Sequence, residues 1–145
     1  MVADLLIANL LRIAREDLDG ARLLAASSNR NAAYLCEQAA EKIIRAVLTS
    51  EGKHAGIRHQ LDEMVKLVPE ENPLKPGLRE IEELAAYATA FRYPTSSGKI
   101  PMPPPGTELG ALINKVESVL TDAVSRFGVE LAKKGAPAKK PGPIR

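Results

Sequence analysis

Apolar residues recur at spacings of three and four along most of this chain, which is the period of a helix and not of a strand. The pattern predicts a first helix over about Ala3 to Ala26, with Leu6, Leu10, Ile13, Asp17, Leu18, Ala21, Leu24 and Ala25 as a mostly apolar stripe. Ser27, Ser28 and Asn29 end it and offer an N-cap to the next helix. A second helix is expected over Asn31 to Ser50. Ala33, Leu35, Cys36, Ala39, Ala40, Ile43, Ile44, Val47 and Leu48 give it a wide apolar face, with Glu37, Glu41, Lys42 and Arg45 opposite. Glu41 and Arg45 are spaced as an i,i+4 ion pair, and Gly52 is a stop signal.

A short helix follows near His59 to Leu67, then a run of breakers: Pro69, Asn72, Pro73, Pro76 and Gly77. The next helix is expected from Leu78 to Phe91, with Leu78, Ile81, Leu84, Ala85 and Ala88 inward, and Pro94 forces Tyr93 out of helical geometry. Thr95 to Gly106 reads as an exposed, partly polyproline-II loop. The last helix runs from its expected N-cap, Thr107, to about Leu131, on a stripe of Leu109, Leu112, Ile113, Val116, Val119, Leu120, Ala123, Val124 and Phe127.

These elements predict an all-α fold: an up-and-down bundle of four long helices with a short helix inserted. One domain is expected over residues 1–132, followed by a disordered tail rich in Lys, Pro and Gly over 133–145. With aromatic residues at 3% and no Trp, the core must be aliphatic, and alanine-lined faces allow helices to approach closely. The single cysteine, Cys36, excludes an intramolecular disulfide and sits in an apolar stripe, as a core residue would. There is no apolar run long enough to span a membrane, so the expected location is the cytoplasm.

Charge changes the picture only after it is divided. The formal net charge of +2 comes from 20 basic and 18 acidic residues. Five of the basic ones, Lys133, Lys134, Lys139, Lys140 and Arg145, lie in the tail, which leaves 15 against 18 and a bundle at −3. Any nucleic-acid contact by the bundle must therefore come from a local cluster and not from a general basic field.

Candidate chemistry is sparse. His54 and His59 lack further ligands at metal-binding spacing, so no metal and no cofactor are expected. The serines lack a glycine-flanked nucleophile turn, and no phosphate-loop or dinucleotide-binding motif is present. Tyr93 with Thr95 to Lys99 offers backbone N–H groups to a phosphate, although an ordinary connection reads as well.

The second helix is more informative. It carries the block Cys36-Glu37-Gln38-Ala39-Ala40-Glu41-Lys42-Ile43-Ile44-Arg45-Ala46, between an upstream Asp17-Leu18 with Ala21 and a downstream His59-Gln60-Leu61. Tyr87 and Phe91-Arg92-Tyr93-Pro94 follow. In this order and on these expected helices, the set resembles the HEPN family, over about Arg12 to Phe127.

The resemblance implies a helical bundle that forms a homodimer, often beside a minimal nucleotidyltransferase in toxin–antitoxin systems of prokaryotes. Some HEPN members are ribonucleases that place a His five to seven positions after an Arg, the Arg on phosphate charge and the His as acid or base. Here the positions required before His54 are Val47, Leu48 and Thr49, and those before His59 are Gly52, Lys53 and His54. The positions after Arg92 are Ser97, Gly98 and Lys99. The signature is absent. The expectation is a non-catalytic module contacting nucleotide or RNA phosphate through Gln38, Glu41, Lys42, Arg92 and Tyr93, with Arg92 and Lys42 on phosphate and Tyr93 stacking on a base. Two alternatives stand: an atypical ribonuclease using His59 and Arg92, and a plain protein-interaction subunit in which the polar residues tie helices together.

Overall fold

A computed structural model describes residues 2–57 and 60–145, with the side chains of Val2, Ala88 and Thr89 outside the description. Six α-helices and a 3-10 segment follow in order: α1 (Val2–Ala26), α2 (Asn31–Ser50), α3 (Leu61–Lys66), α4 (Lys75–Ile81), the 3-10 turn Glu82–Ala86, α5 (Tyr87–Ala90) and α6 (Gly106–Phe127). The described residues contain no strand, so the fold is all-α.

The α1–α2 hairpin is the spine. Ala8, Ala14 and Ala21 on α1, and Ala32, Ala33, Ala39, Ala40 and Ala46 on α2, are buried, and small side chains let the two axes close up. A Cβ on Gly20 would already meet Leu35 Cδ1 at 3.0 Å. α1 buries Ile7, Leu11, Ala14, Leu18 and Ala21. The expected stripe is therefore corrected by one position over its first half: Leu6 is 46% exposed and Ile13 44%, with Leu10 on the margin. Both registers are apolar at helical spacing, and tertiary packing chose between them.

α2 is packed by α1, α3, α4, α5, α6 and the 3-10 turn. Its expected polar side is consequently not a solvent face, since Glu37 is 1% and Glu41 8% exposed. The helix begins where Asn29 Oδ1 accepts the Asn31 N–H at 2.9 Å.

The third long helix is broken. α4 starts at Lys75, ahead of expectation, because Pro76 in the first turn has no N–H to leave unsatisfied. The chain then tightens to 3-10 geometry over Glu82–Ala86. Leu78 and Ile81 of α4 and Leu84 of the 3-10 segment are each buried at 0% exposure, so the buried face continues across the change of helix type.

α6 starts at Gly106, with Pro105 and not Thr107 before it, and no side-chain cap. It stops at Phe127 and not at Leu131 because Gly128 turns left-handed, φ 63 and ψ 51. The Val129 N–H then reaches the Val124 carbonyl at 3.0 Å, a Schellman ending. Arg15 on α1 grips Glu117 of α6 through both terminal nitrogens.

The tail corrects the expectation of disorder. Ala138 is 5% exposed. Its N–H donates to the Asp4 carbonyl at 3.0 Å, and the Lys140 N–H donates to the Phe127 carbonyl at 2.9 Å. Arg12, itself 9% exposed, places Nη2 at 2.8 Å from the carbonyls of Glu130, Lys133 and Ala136. Too few apolar residues mark this segment in the sequence; a buried guanidinium holds it instead.

Candidate functional site

The polar set lies along α2. Tyr34, Gln38, Glu41 and Arg45 follow one another at helical spacing, so they string along one side over about 16 Å. The middle of this row is crosslinked to α1: Lys42 Nζ donates to Asp17 Oδ2 at 2.6 Å and reaches Gln38 Oε1 at 3.5 Å. The two charged side chains are 22% and 19% exposed, which lets the pair keep part of its Coulomb attraction. Gln38 Nε2 donates to Glu37 Oε2 at 2.9 Å. Glu41 and Arg45 form the expected i,i+4 pair at 3.5 Å, and Arg45 Nη1 continues to the Gly56 carbonyl at 3.4 Å.

Arg92 sits at the other end. Its guanidinium carbon lies 4.0 Å from the centre of the Tyr34 ring and 5.5 Å from that of Tyr93. A cation over two aromatic faces is held by their quadrupoles. Arg92 is exposed, and Tyr93 is 60% exposed. The α5 exit places both residues, because the helix ends at Ala90 and Pro94 prevents its continuation.

Gln38 and Lys42 therefore come together with Asp17, Glu41 pairs instead with Arg45, and Arg92 lies over both Tyr34 and Tyr93. Eight residues, about 12 Å of helix, separate Tyr34 from Lys42. His59 lies outside the described residues, as does the Ala88 side chain. Tyr34 was missed by sequence reasoning. Its only signal was its place one turn before Gln38, on the helix bearing the family-like block.

The other candidates fall into structural roles. Cys36 is fully buried, and burial pushes its thiol up to about 12, so it is a core group and not a nucleophile. The Thr95–Lys99 turn uses its own donors internally: the Thr95 N–H goes to the Lys99 carbonyl, Gly98 N–H to the Thr95 carbonyl, and Lys99 N–H to Thr95 Oγ1. Those N–H groups are not presented to a phosphate. Among the described residues, no cluster of three or more His, Cys, Asp or Glu side chains is arranged for a metal, and no helix is long and apolar enough to cross a membrane.

Comparison with known proteins agrees with the resemblance in the α2 block. The family model for the HEPN domain matches residues 7–127, from the second turn of α1 to the last residue of α6. No curated protein and no solved structure matches. The match spans both the α1–α2 hairpin and the Arg92 corner, and the chain belongs to the HEPN domain family.

Proposed function

We propose that this chain is a dimeric, non-catalytic HEPN module that binds single-stranded RNA at the Tyr34–Arg92–Tyr93 stack, in a toxin–antitoxin type system with a minimal nucleotidyltransferase as partner. The observation that carries the reading is the stack itself, an exposed guanidinium held 4.0 Å over one aromatic ring and beside a second. Arg92 supplies the phosphate contact, and Tyr93 supplies a face for a base. Lys42 sits two turns further along α2 and already serves Asp17, so a ligand touching both cations is a strand and not a mononucleotide. Gln38 lies between them on α2. The missing Arg-to-His spacing supports a binding role over cleavage.

The partner-facing surface in this reading adjoins the stack. Tyr93, Ile100 and Met102 flank the Thr95–Lys99 turn, with Ile100 72% and Met102 85% exposed, and exposed apolar patches mark interaction surfaces. Arg30 steadies this loop by donating to the Pro101 carbonyl at 2.8 Å.

Fluorescence anisotropy with a labelled single-stranded RNA tests the site. Tyr93→Ala and Arg92→Ala should each weaken binding by about fivefold to a hundredfold, the range for one lost stacked base. Arg92→Ala should also lower the log–log salt slope by about 0.7, the share of one phosphate contact on a single strand. Unchanged binding in both variants removes the site. RNA cleavage by the wild type that Arg92→Ala abolishes removes the non-catalytic reading.

A further inference from the structure

The C-terminal turn of α2 and the first turns of α1 enclose a cavity of about 300 Å3 that shares no residue with the Arg92 stack. Its floor is aliphatic, made by Leu6 and Leu10 of α1, Leu48 of α2 and Ala55 of the loop that follows. The ionisable side chains lining it are Arg45, Lys53 and His54, and the nearest carboxylate to them is Glu41, which faces Arg45 at 3.5 Å from outside the lining. The larger cavity of about 690 Å3 near α4 is mixed, with Asp62, Glu80, Glu82 and Glu83 facing Arg79 and Lys115.

The local sequence builds this asymmetry. Gly52 takes φ +69, and its N–H and that of Lys53 return to the carbonyls of Thr49 and Leu48 at 3.0 and 2.9 Å. This Schellman ending satisfies the last carbonyls of α2, which would otherwise repel a negative charge, and turns Lys53 and His54 back over the cavity. Gly56 turns the chain again at φ +63, and its carbonyl is tied to Arg45. Leu6, 46% exposed, leaves a large aliphatic surface in water on the concave side of this rim.

An apolar floor under a basic rim calls for a ligand with the complementary halves. We propose that this cavity binds a small organic anion, its charged head on Lys53, His54 and Arg45 and its aliphatic chain on Leu6, Leu10 and Leu48. The volume lies at the lower end of ligand pockets. At about 30 Å3 per water-sized group it admits roughly ten non-hydrogen atoms, the size of a medium-chain carboxylate or a short alkyl phosphate.

Calorimetric titration of the full chain with octanoate and with hexyl phosphate tests the site, and their relative affinity decides between a carboxylate and a phosphate head. At least one should bind, whereas acetate and octanamide, each lacking one half, should bind about tenfold more weakly, as loss of a charged hydrogen bond or of its apolar counterpart predicts. Lys53→Glu and Leu6→Asn both alter exposed positions, and each should weaken binding by a similar factor while the circular dichroism stays native. No heat from either probe with a folded protein overturns the proposal, as does equal binding of octanamide or full affinity in both variants. Light scattering supplies a further check. A concentration-dependent increase in mass that Leu6→Asn abolishes would show the cavity filled by a second copy of this chain, and overturns the small-anion assignment.

Discussion

Arg145 grips Glu51 with both terminal guanidinium nitrogens, at 2.7 and 3.0 Å, across 94 residues of sequence. Glu51 also accepts from Asn72 Nδ2 at 2.7 Å. One carboxylate thus joins the end of α2, the loop before α4 and the tail. The Arg145 hydrogen bond, ahead of that from Asn72, holds the Glu51 carboxyl below its ordinary value of 4.5. A lowered folded value means that the stabilising contribution is complete above the ordinary value and is lost as pH falls through the lowered one. Acid titration followed by hydrogen exchange should therefore release the tail amides before the bundle unfolds. Arg145→Ala should remove that pH dependence, and tail protection that ignores pH in the wild type would contradict the arrangement.

Arg12 is the stronger anchor. Its buried guanidinium serves the Glu130 carbonyl and two carbonyls of the tail as well as Asn9 Oδ1. Arg12→Met keeps the length of the side chain and removes the donors, so urea denaturation should show a loss of about 3 kcal/mol, at one to two charged hydrogen bonds. Truncation after Gly128 should also lower stability, because it removes all three carbonyls together with the buried Val129 and Ala138. A truncated chain of wild-type stability would refute this role.

Gly128 is irreplaceable for two reasons. Its φ of +63 strains any other residue, and a Cβ there would meet the Lys139 Cβ at 3.1 Å. Gly128→Ala should lower stability by about 1–2 kcal/mol, the left-handed penalty. Thermal melts read the difference directly.

The Lys42–Asp17 pair separates structural from ligand roles. A double-mutant cycle with Lys42→Met and Asp17→Asn should give a coupling energy of about 1 kcal/mol, as expected for neighbours in contact. A coupling near zero, together with RNA binding lost in Lys42→Met, would move Lys42 from the helix tie to the ligand.

Cys36 should be silent to thiol reagents. With its thiol pushed up to about 12 by burial, native protein should resist iodoacetamide at pH 8, and labelling should track global unfolding in denaturant. Rapid labelling of the native chain would show that the α1–α2 seam opens locally.

The helical class and most boundaries were legible because each long helix carries its own apolar period; the α6 stripe from Leu109 to Phe127 matches the buried face almost residue for residue. The α1 register was not legible, since Leu6-Leu10-Ile13 and Ile7-Leu11-Ala14 satisfy the same rule. The 3-10 turn was not legible, since the spacing of Leu78, Ile81 and Leu84 fits an α-helix as well. The tail was not, because a Lys/Pro/Gly composition carries no period and its anchor, Arg12, lies on the first helix. Among the candidate residues, Gln38, Glu41 and Lys42 were singled out through the family-like block, while the contact of Arg92 with Tyr34 was invisible because their meeting is a product of the fold. The burial of Glu37 and Glu41 was hidden for a related reason: a charged residue reads as exposed until the number of elements around its helix is known.

The tail also sets an order on biogenesis. α1 and α2 are neighbours in sequence and can pair as soon as both have emerged, but the carbonyls that Arg12 requires begin 118 residues later. At about 5–20 residues per second, roughly 6 to 24 s of synthesis pass before Glu130 follows Arg12 out of the ribosome. Throughout that interval the nascent hairpin carries a guanidinium without its final acceptors. Only when Glu130, Lys133 and Ala136 reach Arg12 does that guanidinium exchange water for the acceptors of the folded chain.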